Sequence, residues 1–163
     1  MSAFTSFFSK SNSKRVLSFD GGGVRAIAGL VFLHKLEVES GKKIADMFDM
    51  FVGVSAGALN ALCLGVNQMS AKEIKDYWSK DYIEEITSSN YFWDKASIIQ
   101  ARPKYENTGR IEVLKKIFYD KSMVESKKPV ITLAYDVENR SYVAHSSFGT
   151  PGISVISACC ASS

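Results

Sequence analysis

Short apolar runs alternate with helical spacings in the first half of the chain. Residues 16–19 and 49–54 are compact apolar runs of the length typical of buried strands. Apolar positions in residues 25–39 recur at helical spacing before Gly41, where the helix is expected to stop. Residues 56–64 are small, apolar and free of helix breakers. This order of strand, helix, strand and helix predicts a parallel βαβ unit and therefore an α/β fold.

The rest of the chain adds two helices and two strands to this prediction. The segment Ser-Ala-Lys-Glu at residues 70–73 is a capping box that opens a helix, and apolar spacing marks a second helix over residues 111–118. Residues 86–109 are irregular and aromatic, which favours a surface loop or lid. Residues 130–135 and 141–145 are predicted strands joined by a turn.

The basic charge of the chain is concentrated at its N-terminus. The formal net charge is +3, and residues 1–15 hold three basic residues and no acid, so the other 17 basic and 17 acidic residues balance. A neutral globular part argues against nucleic acid as a partner. We expect residues 1–14 to form a disordered tail, or alternatively to contact a membrane surface or partner through phenylalanines, and residues 15–163 to form one domain.

Neither a signal peptide nor a disulfide framework is indicated. The tail lacks a continuous apolar core after its basic residues, and no apolar run reaches the roughly 18 residues needed to span a bilayer. The three cysteines, Cys63, Cys159 and Cys160, are odd in number and lack metal-ligand spacing. We therefore expect a reducing, cytoplasmic location, with peripheral membrane contact as an open alternative, and no metal or cofactor.

Ser55 is the strongest candidate for a catalytic residue. It is the centre of Gly53-Val54-Ser55-Ala56-Gly57, a Gly-x-Ser-x-Gly pentapeptide between a predicted strand and a predicted helix, which is the pattern of a nucleophile elbow. Gly53 and Gly57 would let the chain pass close to itself, and the helix start would favour developing negative charge at the serine. The alternative is a tight turn in which Ser55 only caps the helix.

A second candidate site is the glycine loop at residues 20–25, Asp-Gly-Gly-Gly-Val-Arg. Three glycines between a strand and a helix expose backbone N–H groups that bind an anion, either a phosphate or the oxyanion of acyl transfer. The same loop matches a dinucleotide-binding fingerprint, which requires an acid at the end of the second strand. Asp46 and Asp49 precede that strand and Ser55 occupies its end, so nucleotide binding is the weaker alternative.

The spacing between the two motifs brings them together. They are separated by about 33 residues, the size of one βαβ unit, so both loops leave the same edge of a parallel sheet. If the two strands are neighbours, the glycine N–H groups can face the Ser55 hydroxyl. A nucleophile and an oxyanion hole would then share one crevice, which is the minimum required for acyl transfer.

These motifs resemble those of the patatin-like phospholipases. The resemblance rests on residues 20–25 and 53–57, with weaker similarity at 102–105 and 157–163, and it extends over residues 15–163. It implies a three-layer α/β fold whose mostly parallel central sheet is flanked by helices. It also implies acyl hydrolysis of a phospholipid or other membrane lipid by a Ser-Asp dyad, without histidine or metal.

The resemblance also implies a role for individual residues. Ser55 would be the nucleophile, Gly21, Gly22 and Gly23 would supply the oxyanion N–H groups, and Arg25 would help to hold negative charge near the loop. The family's catalytic aspartate lies in an Asp-Gly-Gly or Asp-Gly-Ala motif, and no Asp-Gly follows Ser55 here. We therefore expect a C-terminal truncation and weak or no activity from this chain alone. A non-catalytic lipid-binding fragment is the resulting alternative.

Other residues offer weaker candidates for the chemistry. Asp136 and His145 follow Ser55 in the order of an α/β-hydrolase triad, although both lie on the predicted hairpin. His34 falls on an apolar helical face, which is typical of a core or boundary histidine. Four aromatic side chains are candidates either for an acyl pocket or for the core. They are Tyr77, Trp78, Phe92 and Trp93.

Overall fold

Strands and helices alternate along the chain in the computed structural model, which describes residues 14–78 and 107–162. The first half contains β1 (Val16–Phe19), α1 (Ile27–Ser40), α2 (Ile44–Met47), β2 (Met50–Val54), α3 (Ala56–Asn67) and α4 (Ala71–Tyr77). The second half contains α5 (Asn107–Phe118), β3 (Val130–Asp136), β4 (Ser141–Ser146) and α6 (Val155–Ala161). Two 3-10 helices, Gly23–Ala26 and Met123–Glu125, complete the described elements.

The four strands form one sheet in the order β1-β2-β3-β4. β1 and β3 each pair with β2 in parallel, and β4 is antiparallel to β3. Phe19 is opposite Gly53, and Val54 is opposite Leu133, so the carboxyl ends of three strands lie at one edge. The predicted α/β fold with a mostly parallel sheet and packed helices is confirmed.

The core lies between the sheet and α3. Residues 57–66 of α3 are all buried, because this helix packs on the sheet and is enclosed by other helices. Phe51 and Val130 are opposite each other in the sheet and are fully buried beneath it. Alternate strand residues point the other way, and several are exposed, so the described residues cover that face only in part. These exposed side chains are Val16, Val54, Leu133 and Tyr135.

Most helix boundaries follow local signals in the sequence. α1 ends at Gly41, which is left-handed with φ 65°, and Ser70 begins α4 with the predicted capping box. The predicted loop over residues 86–109 is wrong at its end, because α5 begins at Asn107. The rest of that segment, and residues 1–13 of the predicted tail, lie outside the described residues.

α2 was missed because its start depends on a residue outside it. The carboxylate of Glu37, near the end of α1, accepts a hydrogen bond of 3.0 Å from Ile44 N through Oε1. Its other oxygen, Oε2, accepts one of 2.9 Å from Ala71 N at the start of α4. One side chain therefore satisfies backbone donors at the first turns of two helices, which fixes both helices against α1.

We predict that Glu37→Ala lowers the free energy of unfolding by about 1–3 kcal/mol, because two helix starts lose a charged acceptor. Urea denaturation followed by circular dichroism measures the change. The matched control is Glu39→Ala on the same helix, whose carboxylate makes only an exposed ion pair with Lys35 at 3.7 Å. Equal losses in the two variants would contradict this role of Glu37.

Candidate active site

Ser55 occupies the tight turn between β2 and α3. Its backbone has φ 55° and ψ −127°, a conformation that costs a non-glycine residue about 1–3 kcal/mol. Its carbonyl accepts a hydrogen bond of 2.9 Å from Ala58 N, while its hydroxyl makes no capping bond to the helix. Ser55 therefore occupies the N-cap position without a capping bond from its side chain, and its hydroxyl is left available for another partner.

The glycines on either side of Ser55 have no space for a side chain. A Cβ atom at Gly53 would overlap the Gly57 carbonyl and lie 2.7 Å from Ala58 N. A Cβ atom at Gly57 would lie 2.5 Å from the carbonyl oxygen of Phe19 at the end of β1. The start of α3 therefore rests directly on the backbone of two strands, and glycine is required at both positions.

The glycine loop lies against Ser55. A Cβ atom at Gly21 would be 3.2 Å from Ser55 Cβ and 3.4 Å from Val54 O, so the two motifs lie side by side. Within the part of the chain that the structure describes, the N–H groups of Gly21, Gly22 and Gly23 donate no hydrogen bond. Gly23 has a left-handed φ of 56°. The loop thus presents unused backbone donors beside the turn that carries Ser55.

Asn60 links the glycine loop to the helix that follows Ser55. Its fully buried side chain donates a hydrogen bond of 3.4 Å to Ala26 O, where the loop enters α1. It accepts one of 3.0 Å from the indole Nε1 of Trp78. Sequence reasoning missed Asn60, and its only local signal is an amide on an otherwise apolar helix. Arg25 is exposed on the 3-10 helix after the loop.

The Ser55-Asp136-His145 triad is wrong. Asp136 accepts hydrogen bonds from Asn139, which lower the pKa of its carboxyl group, so it stabilises its own hairpin turn. Asp136 is opposite Ser141, and His145 is opposite Thr132. Four residues of strand therefore separate the two side chains, roughly 13 Å along β4. No hydrogen bond joins them.

The nucleotide-binding alternative lacks its acid. Asp49 lies before β2, at the opposite end from Ser55, and accepts a hydrogen bond of 2.8 Å from Arg15 N. That bond holds the pKa of the Asp49 carboxyl below its usual value. Asp46 lies on α2, also before β2. Neither carboxylate is at the carboxyl edge of the sheet, where a ribose would require one.

The remaining candidates that the structure describes differ in burial. Trp78 is buried and bonded to Asn60, whereas Tyr77 is partly exposed; Phe92 and Trp93 lie outside the described residues. His34 is half-buried on α1, as expected of a boundary histidine. In the described ranges the Ser55 hydroxyl contacts neither a carboxylate nor an imidazole, and no group of three metal-binding side chains occurs.

The cysteines are unsuited to nucleophilic chemistry. None of the three, all of which lie in the described residues, forms a disulfide. Burial raises the pKa of Cys159 to about 12 and raises that of Cys63 well above its usual value. Burial also raises the pKa of the half-buried Cys160. The thiolate form, which is the reactive one, is therefore disfavoured at neutral pH.

Comparison with known proteins identifies the family. The patatin-like phospholipase family profile matches residues 17–163. Human calcium-independent phospholipase A2-gamma is 27% identical over 135 residues, covering 80% of this chain and 17% of the relative. Patatin-like protein 4 of Arabidopsis thaliana is 29% identical over 152 residues, covering 84% of this chain and 37% of the relative. The chain belongs to the patatin-like phospholipase family and spans well under half of these relatives.

Solved structures agree on the fold. The type III effector protein ExoU matches with a TM-score of 0.57 and 14% identity, covering 91% of this chain and 39% of ExoU. ExoU of Pseudomonas aeruginosa in complex with SpcU matches with a TM-score of 0.55 and 16% identity, covering 90% of this chain and 37% of that one. Among the described residues, no helix is both long and apolar enough to cross a membrane.

We predict that Gly57→Ala destabilises the fold by about 1–3 kcal/mol, because the added methyl group meets rigid backbone at the end of β1. Gly29→Ala is the matched control, since nothing lies within 4 Å of a Cβ atom there and alanine favours a helix. Thermal unfolding compares the two. An unchanged melting temperature for Gly57→Ala would contradict the close contact between α3 and β1.

Proposed function

We propose that this domain hydrolyses fatty-acyl esters of membrane lipids, as a phospholipase A-type enzyme, with Ser55 as nucleophile. The observation that carries the proposal is the contact between Ser55 and Gly21 at the carboxyl edge of the sheet. The Ser55 hydroxyl is not used for capping, and unused backbone N–H groups lie beside it. Family membership supports a lipid acyl hydrolase in general terms.

The reaction follows from the positions of these groups. Ser55 Oγ attacks the ester carbonyl carbon while its proton passes to a general base, and the carbonyl oxygen becomes an oxyanion. The N–H groups of Gly21, Gly22 and Gly23 stabilise that charge, with support from the exposed Arg25. The base returns the proton to the departing alcohol. Water then attacks the acyl-enzyme, releasing the fatty acid and restoring the hydroxyl of Ser55.

The base is proposed to be the aspartate of an Asp-Gly-Gly or Asp-Gly-Ala motif, as in the family. No residue after Ser55 in the 163-residue sequence forms such a motif. A serine without a base is a weak nucleophile at neutral pH, so the 163-residue chain by itself should be slow or inactive. A domain that binds lipid without cleaving it is the outcome expected if Ser55 proves unreactive.

The direct test is labelling with a fluorophosphonate, which forms a covalent bond with activated serines. By the intact protein we mean residues 1–163 together with the family's Asp-Gly-Gly or Asp-Gly-Ala motif. We expect it to be labelled at Ser55, because the hydroxyl makes no capping bond and lies beside unused backbone N–H groups. Ser55→Ala should abolish the label, and Ser40→Ala, at the exposed end of α1, should retain it. Failure to label folded, intact protein would refute the nucleophile assignment and favour the lipid-binding alternative.

The proposed oxyanion loop predicts a second result. A methyl group at Gly22 would meet only Arg25 Cβ, at 3.8 Å, so Gly22→Ala should fold normally. We expect kcat on a fluorogenic phospholipid to fall about 10- to 100-fold with little change in KM, because the methyl group hinders charge stabilisation in the transition state. Gly152→Ala, where nothing lies within 4 Å, is the control. Unchanged kcat would argue against this loop.

A further inference from the structure

The parallel ladder between β2 and β3 is altered at Ser55. Phe51 N donates a hydrogen bond of 3.0 Å to Pro129 O. In a parallel pair of strands this pattern repeats every two residues, so Gly53 N and then Ser55 N are expected to donate to β3 in the same way. The expected acceptor for Ser55 N is therefore Leu133 O, since Val54 is opposite Leu133. Ser55 N donates instead to the side chain of Ser162, at 2.9 Å.

The Ser162 hydroxyl completes the interrupted connection. Its oxygen accepts the hydrogen bond from Ser55 N, and its own proton is donated to Leu133 O in a short hydrogen bond. One hydroxyl thus bridges Ser55 N and Leu133 O at the point where β2 turns away from β3 to form the elbow. Ser162 is 8% exposed, and its two hydrogen bonds to these backbone groups are partly buried.

The helix that carries Ser162 is itself held in place. Ser162 follows the last residue of α6, which begins at the N-cap Ser154. The Thr132 hydroxyl of β3 contacts Ala158 O at 3.5 Å, and Arg110 donates to Cys159 O at 3.3 Å. The position of the hydroxyl is therefore determined by α6, by the sheet and by α5 together.

From this geometry we infer that Ser162 is a positioning residue for Ser55. Its hydroxyl accepts the hydrogen bond from Ser55 N, a backbone donor that does not pair with β3 because the chain turns there. This bond holds the Ser55 backbone at φ 55°. Without the Ser162 hydroxyl, a partly buried N–H and a partly buried carbonyl lose their partners, and the elbow can relax toward ordinary strand geometry, turning the Ser55 hydroxyl away from the glycine loop. The inference rests on the proposed role of Ser55.

The test compares the rate constants for fluorophosphonate labelling of Ser55 in the intact protein, below the melting temperature of every variant. Ser162→Ala should reduce the rate constant about tenfold or more, and Ser162→Thr, which keeps the hydroxyl, should restore most of it. With a phospholipid substrate, the same loss should appear in kcat and not in KM. A purely structural role would lower the melting temperature without this pattern.

The matched control is Ser126→Ala, which removes another partly buried hydroxyl that donates to a backbone carbonyl, Lys128 O, at 2.6 Å. It should leave the labelling rate unchanged. If Ser162→Ala does not fold, Ser162→Cys replaces it, because a thiol is a weaker donor and acceptor and should label more slowly than Ser162→Thr. Wild-type labelling rates in Ser162→Ala, or in Ser162→Cys where that variant is used, would overturn the inference about Ser162 but not the proposed function. Absence of label in the wild type would instead refute the proposed function.

Discussion

The close contact between α3 and the ends of β1 and β2 is the constraint on which the site depends. Neither Gly53 nor Gly57 has room for a Cβ atom, because each faces backbone atoms of the neighbouring segment. This contact favours a tight turn, and Ser55 within that turn has a positive φ of 55°. The local strain is offset by the packing of α3, which is buried over residues 57–66.

The same contact sets the position of the glycine loop. Because β1 and β2 are adjacent and parallel, the loop after β1 and the turn after β2 meet at one edge of the sheet. Gly21 lies beside Ser55, and the buried Asn60 ties the end of the loop to α3. The arrangement therefore depends on backbone packing, on one buried amide and on the Ser162 hydroxyl at the elbow. A preorganised site of neutral N–H donors suits the stabilisation of a transient oxyanion.

The sequence was sufficient to predict the elements whose signals are local. The glycine spacing around Ser55, the stop at Gly41 and the capping box at Ser70 each reflect a conformational requirement of a few adjacent residues. α2 was not predictable in this way, because its start is stabilised by Glu37 from another helix. Ser162 lies 107 residues from Ser55, so only the folded structure shows that its hydroxyl reaches the elbow.

The failed histidine triad has the same physical explanation. Chain order alone made Asp136 and His145 candidates, but strand pairing separates them, and Asp136 is used by its own turn. The glycine motifs were more informative, because their spacing matched one βαβ unit and hence a shared sheet edge. Sequence reasoning predicts a site well where the order of strands and helices determines which residues meet. It predicts a site poorly where long-range packing decides which side chains become partners.

The most direct test of the account is to locate the acyl group formed during turnover. Intact protein mixed with a phospholipid and quenched in acid should yield a fatty-acyl ester on the tryptic peptide 44–72, whose only serines are Ser55 and Ser70. Fragmentation in the mass spectrometer assigns the ester to one of them. The account predicts acylation of Ser55. An ester elsewhere, or continued hydrolysis by Ser55→Ala, would contradict it.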